Sequence, residues 1–426
     1  MDKFTGYRCS LCNAEYLPGQ VTYTCPKDGG NLDVLLDYES IRAKYQPEDL
    51  ASRTDFSLWR YLPLLPVSEY PGQASPLHAA GWTPVFSLSR LGQSLGLKHL
   101  WLKDESSNPT ASFKDRASAI VVARAREIQA EVVITASTGN AGAALAGMAA
   151  AVGQKAVILA PKSAPAAKVA QLLIFGARVI LVDGSYDDAF DLTIEAANEF
   201  HWYCRNTGYN PFTAEGKKTA AFEIWEWWRS ARQESVKPVG QAGSGPGLTV
   251  FVSVGDGNII SGIHKGFKDL AKLGWLEQMP RLIGVQAEGS SAIADAFRSN
   301  TEKIKPVTAR TIADSISVDL PRDGVRAVRA ARETGGTYLT VSDTEILQSI
   351  GALGKLGIFA EPAGATAYAG LVRAVADGLV REDEPVLVLN TGSGLKDVKA
   401  AMQAVSPAPV IEPTMKALQQ VLQGAM

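Results

Sequence analysis

Cysteine is scarce in this chain, with 4 residues among 426. A secreted scaffold held together by disulfides is therefore excluded, and the count is typical of the reducing cytoplasm, the location we expect. The amino-terminal segment has no apolar core with a cleavage site, so no secretory signal is expected. The longest run of small apolar residues, 141–153, is too short to cross a bilayer, and no membrane partner is expected.

The chain also has no large surplus of positive or negative charge. Lys and Arg together number 42 and Asp and Glu 44, a formal net charge of −2. Such a balance provides no broad basic surface, so we expect no nucleic-acid partner. The chain has neither the six-residue dinucleotide fingerprint nor a phosphate-binding loop with its lysine, which weakens a nucleotide-binding interpretation.

Apolar segments alternate with helical segments along most of the chain. The predicted strands are 132–135, 156–160, 178–183, 249–255, 281–287 and 385–392. Because these runs are rich in β-branched residues and lack polar alternation, they predict buried parallel strands joined by crossover helices. The Gly/Pro-rich segment 236–248 separates two such blocks and is predicted to be a flexible link.

Glycine is abundant, with 39 residues, and part of it lies where predicted strands end. Three glycine-rich turns follow strands, at 137–142, 255–262 and 391–397. Ligands of open α/β sheets bind beyond the carboxyl ends of strands, and a glycine turn that opens a helix presents N–H groups to an anion. Each turn alone is equally typical of an ordinary strand–helix connection.

Three of the cysteines lie near the amino terminus. Cys9 and Cys12 form a CxxC turn, and Cys25 opens a second turn in which Asp28 stands where a zinc ribbon has its fourth cysteine. Three thiolates and one carboxylate are an uncommon zinc-ligand set, so the favoured interpretation is a hairpin that has lost its metal. A zinc-loaded ribbon and a redox dithiol stay open as alternatives.

Lys114, in the segment NPTASFKDR, stands at the start of a predicted helix. Two interpretations are open. With Asp115 and Arg116 it is part of a solvated charge cluster, or it is an amine whose pKa is lowered by the helix dipole. The second interpretation suits an amine that forms a Schiff base with an aldehyde.

Seven segments of the chain occur in the order found in threonine synthases. They are NPTASFKDR, ASTGNAGAALAGMAA, NTGYNPFTAEGKKTAAFEIWEW, SVGDGNIISGIHKGFKDL, IGVQAEGSSAI, AEPAGATAYAGL and LNTGSGLKD. From about Trp82 to Lys399 the chain therefore resembles the threonine synthase family and, more broadly, the fold type II pyridoxal-phosphate enzymes related to the tryptophan synthase β chain. Its cysteine-bearing leader is similar to that of many family members.

The resemblance implies an α/β fold with two open, twisted, mostly parallel sheets flanked by helices. The cofactor, pyridoxal 5'-phosphate, would lie in the cleft between two domains, and the protein would be a homodimer. The expected divisions are a ribbon-like segment at 1–35, an α/β region at 36–240 with a mobile asparagine-loop subdomain, a second α/β domain at 241–405 and a tail at 406–426 packed on the body.

The resemblance also assigns individual residues. Lys114 would be the Schiff-base lysine and the catalytic proton carrier, and Thr391 would meet the pyridine nitrogen of the cofactor. The cofactor-binding residues that it implies besides Lys114 are Asn140, Gly255, Asp256, Gly257, Asn258, Ile259 and Thr391. The substrate-binding residues that it implies are Ser137, Thr138, Gly139, Asn206 and Thr207. A neutral hydroxyl at the pyridine nitrogen favours elimination and replacement reactions over transamination.

The activity that the resemblance implies is conversion of the small-molecule amino acid O-phospho-L-homoserine and water to L-threonine and phosphate. One departure matters, because Thr213 stands where many members have an arginine for the substrate phosphate. Asn206, Thr207, Lys217 or Lys218 would have to compensate, or the leaving group is not phosphate. The alternatives are deamination of serine or threonine, a β-replacement such as cysteate synthesis, or a non-catalytic ligand-binding relative.

Overall fold

The structure is a computed structural model, and it describes residues 3–68, 74–137, 139–164, 166–235 and 247–425. The strands are β1 (Phe4–Cys9), β2 (Glu15–Tyr16), β3 (Leu32–Leu36), β4 (Val85–Ser87), β5 (Leu100–Asp104), β6 (Val132–Ala136), β7 (Lys155–Pro161), β8 (Arg178–Val182), β9 (Tyr203–Cys204), β10 (Thr249–Ser253), β11 (Arg281–Ala287), β12 (Thr337–Val341) and β13 (Val386–Asn390).

The helices are α1 (Tyr38–Lys44), α2 (Pro47–Ala51), α3 (Ser89–Leu95), α4 (Lys114–Glu127), α5 (Asn140–Ala150), α6 (Ala166–Ile174), α7 (Tyr186–Glu199), α8 (Phe212–Lys217), α9 (Thr219–Ser235), α10 (Asn258–Lys272), α11 (Ala292–Arg298), α12 (Gly324–Glu333), α13 (Asp343–Gly354), α14 (Pro362–Ala376), α15 (Val398–Gln403) and α16 (Met415–Ala425). Short 3-10 helices span Leu58–Leu64, Glu105–Ser107, Glu288–Ser290, Asp314–Ile316 and Gly394–Lys396. None of the helices in the described ranges is long and apolar enough to cross a membrane.

Two mostly parallel sheets form the body of the protein. The larger has the strand order β12-β11-β10-β13-β5-β4 and is parallel except for β4, and the smaller, β8-β7-β6-β9, is parallel throughout. Helices flank both sheets, so every residue of the central strands β6, β10 and β13 is buried. The predicted α/β class with two mostly parallel sheets is confirmed.

The prediction of buried strands was wrong for β8. This strand lies at the edge of the smaller sheet, and Ile180 and Leu181 are more than two fifths exposed. Sheet membership also does not follow the linear division at residue 240, because β4 and β5 join the larger sheet. The predicted link and the division itself fall mostly in 236–246, outside the described residues.

The amino-terminal strands form a small antiparallel sheet, β2-β1-β3, that packs against the body. Phe4 contacts the ring of Phe212 edge-on, with ring centroids 5.6 Å apart. Asn31 donates hydrogen bonds to the carbonyl oxygens of Gly208 and Arg322. At the other end of the chain, the expectation that the tail packs on the body was wrong, because the described side chains of α16 are largely exposed.

Helix α10 carries a histidine whose burial makes stability depend on pH. His264 is 3% exposed, and burial, assisted by Lys268, lowers its pKa from 6.5 to about 3. This effect outweighs the opposing charge of Asp33, and the half-exposed carboxylate of Glu333 lies 3.4 Å from Nε2. Below pH 6.5 the unfolded chain binds a proton that the folded chain does not, so stability falls as the pH drops.

We expect wild-type protein to lose about 2 kcal/mol of unfolding free energy through this group between pH 7 and about pH 5. His264→Gln removes that loss, which urea unfolding at the two pH values measures. His201→Asn is the matched control, because His201 is exposed and asparagine tolerates its positive φ of 55°. An equal pH dependence in His264→Gln and wild type would contradict this role.

Candidate active site

A cleft opens where the central strands of the larger sheet end. It is lined by the segment 253–260 after β10, by Thr391 after β13 and by Lys114 at the start of α4. Thr207 and Lys217 line its side that faces the smaller sheet. The cleft therefore lies at the carboxyl ends of parallel strands, as the position of the glycine-rich turns indicates.

The glycine-rich turn after β10 presents a cradle of unpaired backbone N–H groups. Among the described residues, no acceptor takes a hydrogen bond from the N–H of Gly255, Asp256, Gly257, Asn258 or Ile259. Gly257 has a φ of 88°, and a Cβ there would lie 2.7 Å from that of Ala327. Buried N–H groups require partners, so five free ones at the start of a 15-residue helix are suited to a phosphate.

The side chain of Asp256 accepts a hydrogen bond from the N–H of Arg322. Burial raises its pKa, while Lys217 and Lys114 act in the opposite direction. The carboxylate therefore fixes the turn against the segment before α12, and it also compensates part of the positive charge in the cleft.

Thr213, which replaces the arginine of many threonine synthases, is fully buried behind the cradle. Its hydroxyl donates to the carbonyl oxygen of Asn210 and lies 3.2 Å from Oδ1 of Asn258. The same Oδ1 accepts a hydrogen bond from Nζ of Lys217 at 2.5 Å. Thr213 thus holds the first residue of α10 and does not line the cleft.

Lys114 is the first residue of α4 and points into the cleft. Its segment is pinned to the turn after β13, because the N–H of Phe113 donates to the carbonyl oxygen of Thr391 and Ser112 pairs with Gly392. Burial lowers the pKa of the Lys114 amine, and Arg205 lowers it further against the opposing effect of Glu361. No described residue accepts a hydrogen bond from its Nζ.

The two charged residues after Lys114 are fully buried, so the interpretation of this segment as a solvated charge cluster was wrong. Arg116 makes ion pairs with Glu105 at 2.7 Å and with Glu223 at 2.5 Å. Asp115 accepts hydrogen bonds from Thr110, and burial raises its pKa to about 6. These contacts hold the start of α4 in place.

Asn140 is the first residue of α5, which follows strand β6 of the smaller sheet. Its Nδ2 donates to Oε1 of Glu361 at 2.7 Å and lies 3.4 Å from the hydroxyl of Ser315. Glu361 is buried, which raises its pKa, while Lys114 and Asn140 act to lower it. A second cavity adjoins this group and includes Gly139 and Lys168 in its lining.

The remaining residues assigned to the substrate lie on two segments at the end of the smaller sheet. The hydroxyl of Ser137 accepts a hydrogen bond from the N–H of Gly139, and Thr138 lies outside the described residues. Asn206 accepts hydrogen bonds from Thr135 and from the N–H of Ala136 through Oδ1. Its buried Nδ2 has no partner among the described residues.

Arg205, which lies beside the cleft residue Thr207, was missed by sequence reasoning. Its guanidinium is fully buried, donates to Ser118 and Thr207, and leaves Nη2 without a partner in the described part of the chain. Burial lowers its pKa to about 10. The guanidinium also lowers the pKa of both Lys114 and Lys217, so three buried cations act on one another here.

The adjacent lysines Lys217 and Lys218, at the end of α8, have different surroundings. Lys217 lines the cleft, and burial lowers its pKa well below the usual value. Lys218 lies away from it and pairs with Asp269 at 2.8 Å and with Glu215. Consecutive residues of a helix are 100° apart, so only one of the two reaches the cleft.

The residues of the cleft fit the functional groups of pyridoxal phosphate. The cradle of free N–H groups suits the cofactor phosphate, and the buried amine of Lys114 suits its aldehyde. Residues 77–392 match the family of pyridoxal-phosphate-dependent enzymes, and the chain belongs to that family.

Relatives within that family narrow the assignment. The chain is 38% identical to the threonine synthase of Methanocaldococcus jannaschii over 97% of this chain and 98% of that one. It is 37% identical to the threonine synthase of Methanosarcina acetivorans over 98% of each chain. The protein is a pyridoxal-phosphate-dependent lyase of the threonine synthase family.

Solved structures with the same fold include several with other activities. Threonine deaminase isoform 2 of Solanum lycopersicum has a TM-score of 0.62 and 20% identity, with 89% of this chain and 94% of that one covered. Diaminopropionate ammonia lyase of Escherichia coli has a TM-score of 0.64 and 20% identity, with 85% and 93% covered. At this identity the likeness shows the fold alone.

Proposed function

We propose that the protein converts O-phospho-L-homoserine and water to L-threonine and phosphate. The observation that carries this proposal is a group of buried donors in addition to the N–H cradle after β10. Nη2 of Arg205 and Nδ2 of Asn206 have no partner in the described part of the chain, and the amine of Lys217 has only Oδ1 of Asn258 as its hydrogen-bond acceptor there. Buried cations and orphaned donors are costly without an acceptor, so this group is suited to an anion on the substrate.

A substrate with a phosphate ester supplies that anion in addition to its carboxylate. L-Serine and L-threonine have only the carboxylate and would leave the donor group unpaired, which disfavours deamination as the principal reaction. A charged guanidinium and ammonium also form stronger hydrogen bonds to phosphate than a neutral donor does. Arg205 and Lys217 therefore supply the positive charge that Thr213 does not.

The side chains of the cleft would have different roles in the reaction. Bound pyridoxal phosphate supplies an electron-accepting ring that stabilises negative charge at the substrate α carbon. The Lys114 amine, with its lowered pKa, would hold the cofactor aldehyde and then accept and return protons at the substrate carbons. Asn140 and Thr391 would orient the ring, and the N–H groups that begin with Gly255 would hold its phosphate.

The substrate assignment is tested with a panel of amino acids. Purified protein with pyridoxal phosphate is incubated separately with O-phospho-L-homoserine, L-homoserine, L-serine and L-threonine, and threonine, phosphate, oxo acid and ammonia are assayed. We expect threonine and phosphate from the first substrate only. Oxo acid and ammonia from serine or threonine at a higher kcat/KM would overturn the proposal in favour of a deaminase.

Lys217 and Lys218 provide a matched pair of variants. Lys217→Met is expected to raise KM for O-phospho-L-homoserine roughly 10- to 100-fold, because it removes a charge-assisted bond to the phosphate. Its stability should change little, because loss of the hydrogen bond to Asn258 is offset by removal of a buried amine that has no ion pair among the described residues. Lys218→Met should leave KM unchanged and lose about 3 kcal/mol of stability, because Glu215 and Asp269 lose a buried partner.

Steady-state kinetics and urea unfolding of both variants, together with cofactor titration, measure these effects. A Lys217→Met enzyme with weaker cofactor binding and an unchanged KM would instead assign Lys217 to the cofactor phosphate. A Lys218→Met enzyme with raised KM and normal stability would contradict the different surroundings of the two lysines.

A further inference from the structure

The cysteines near the amino terminus lie on two turns with the same backbone pattern. In the first, the N–H of Cys9 donates to the carbonyl of Ala14 and that of Asn13 donates to the carbonyl of Cys9. In the second, Cys25 and Gly30 are paired in the same way, and the N–H of Gly29 donates to the carbonyl of Cys25. The fifth residue of each turn has a positive φ, 59° in Asn13 and 71° in Gly29.

This equivalence places Asp28 in the second turn where Cys12 stands in the first. Each turn therefore offers its first and fourth side chains, Cys9 with Cys12 and Cys25 with Asp28. One ligand atom from each of the four lies within 4.8 Å of all the others. Asp28 thus occupies the position at which a four-cysteine zinc ribbon has its fourth cysteine.

Two edges between these atoms have lengths that agree with a tetrahedron around zinc. Zinc bonds of about 2.3 Å to sulfur and about 2.0 Å to oxygen require S···S edges of about 3.8 Å and S···O edges of about 3.5 Å. The Sγ atoms of Cys12 and Cys25 are 3.7 Å apart, and Sγ of Cys9 lies 3.3 and 3.6 Å from the two carboxylate oxygens of Asp28.

The surroundings of the four side chains also suit thiolate ligands. Backbone N–H groups of Leu11 and Cys12 point to the Cys9 sulfur, and those of Lys27 and Asp28 point to the Cys25 sulfur. Such donors stabilise thiolates that bind a metal. Only a glycine fits at position 30, since a Cβ there would lie 2.7 Å from the Cys9 sulfur.

From this geometry we infer that Cys9, Cys12, Cys25 and Asp28 bind one zinc ion in a closed, structural site. Four protein ligands leave no open position for a substrate, which is typical of structural zinc. All four cysteines of the chain are free thiols in the structure, and the ligand set needs no oxidant. The metal would fix the two turns of the amino-terminal sheet to each other.

This sheet is connected to the active site through buried charges. Asp33, on β3, pairs with Arg326 at 2.7 Å, and Arg326 pairs with Asp323 at 2.6 Å. The other oxygen of Asp323 accepts a hydrogen bond from Nδ2 of Asn258, the first residue of α10. A metal that fixes the sheet would therefore also support the N–H cradle after β10.

The test is the metal content of the full-length protein, produced with zinc and purified without chelator. We expect one equivalent of zinc per chain in wild type and in Cys204→Ala, the control that removes the buried cysteine outside the cluster. Cys12→Ser and Asp28→Ala should each bind zinc at least about 10-fold more weakly. Asp28→Cys should bind it at least as tightly as wild type does.

Cobalt provides a second measurement that needs no variant. Protein produced with cobalt should show the strong visible absorption of tetrahedral thiolate coordination, and chelation should remove it and lower Tm. Three results would overturn the inference. They are wild-type protein without zinc or cobalt, an Asp28→Ala variant with wild-type zinc affinity, and a Cys12–Cys25 disulfide in the purified protein, detected by the loss of two hydrogen masses.

Discussion

Lys114→Ala is expected to abolish turnover of O-phospho-L-homoserine, with kcat lower by roughly a thousandfold or more. The Lys114 amine is the cleft nucleophile whose pKa is lowered by burial and by Arg205, and no described residue accepts a hydrogen bond from it. Under the proposed function, its loss would remove both the covalent link to the cofactor and the proton carrier at the substrate carbons. Steady-state kinetics at saturating substrate measures the effect.

Two controls make this result specific. Lys98→Ala removes an exposed lysine that pairs with Glu382, and it should leave kcat unchanged. Added small primary amines should restore part of the activity of Lys114→Ala, because they replace the missing proton carrier. A variant that keeps the visible absorption of a lysine-linked cofactor, or more than a few per cent of kcat, would show that another lysine does this work.

Glu223→Ala is expected to be the most destabilising single change, at about 3–5 kcal/mol of unfolding free energy. The carboxylate lies on α9 and pairs with Arg116 on α4 and with Lys103 on β5, all of them buried. These cations hold the pKa of Glu223 at about 2, against the effect of its burial. Without it, two buried cations retain only Glu105 as their carboxylate partner.

Urea unfolding of the cofactor-free protein measures this loss. Glu131→Ala is the matched control, because it removes a glutamate from an exposed pair with Lys155 and should leave stability nearly unchanged. Since Arg116 lies two residues after Lys114, Glu223→Ala should also weaken cofactor binding at concentrations where the protein stays folded. A loss no larger than that of Glu131→Ala would show that the buried ion pairs do not hold α4 in place.

The central strands of both sheets could be predicted from the sequence because each is an unbroken apolar run. Strands β6, β10, β11 and β13 match the predicted segments within a few residues. Strand β5 was missed because it contains Lys103, and a lysine in a sequence usually indicates an exposed position. In the structure Lys103 is buried and pairs with Glu223. Burial of a paired charge depends on residues far along the chain, which periodicity does not reveal.

The residues of the candidate site were likewise predicted only in part. Its glycine turns and Lys114 were found because they are local features, a glycine after a strand or a lysine before a helix. Arg205 and Glu361 were missed because nothing in their own segments distinguishes a buried charge from a solvated one. The only signal was the segment AEPAGATAYAGL, which contains Glu361 and belongs to the family resemblance.

The position of the Thr213 side chain relative to the cleft could not be predicted from the sequence. In the sequence it is a lost arginine, and it leaves the substrate open. In the structure its hydroxyl lies against Asn258, while Lys217, four residues later, extends into the cleft. Which of the two adjacent lysines lines the cleft depends on the rotation of α8, and the sequence does not define where that short helix begins.

The most direct test of the proposed reaction follows the oxygen of water. The protein is incubated with O-phospho-L-homoserine in water enriched in oxygen-18, and the threonine and phosphate are analysed by mass spectrometry. Elimination of phosphate by carbon–oxygen cleavage predicts one heavy oxygen in the hydroxyl group of threonine and none in the phosphate. Heavy oxygen in the phosphate, or homoserine as the product, would contradict the account and indicate hydrolysis of the phosphate ester.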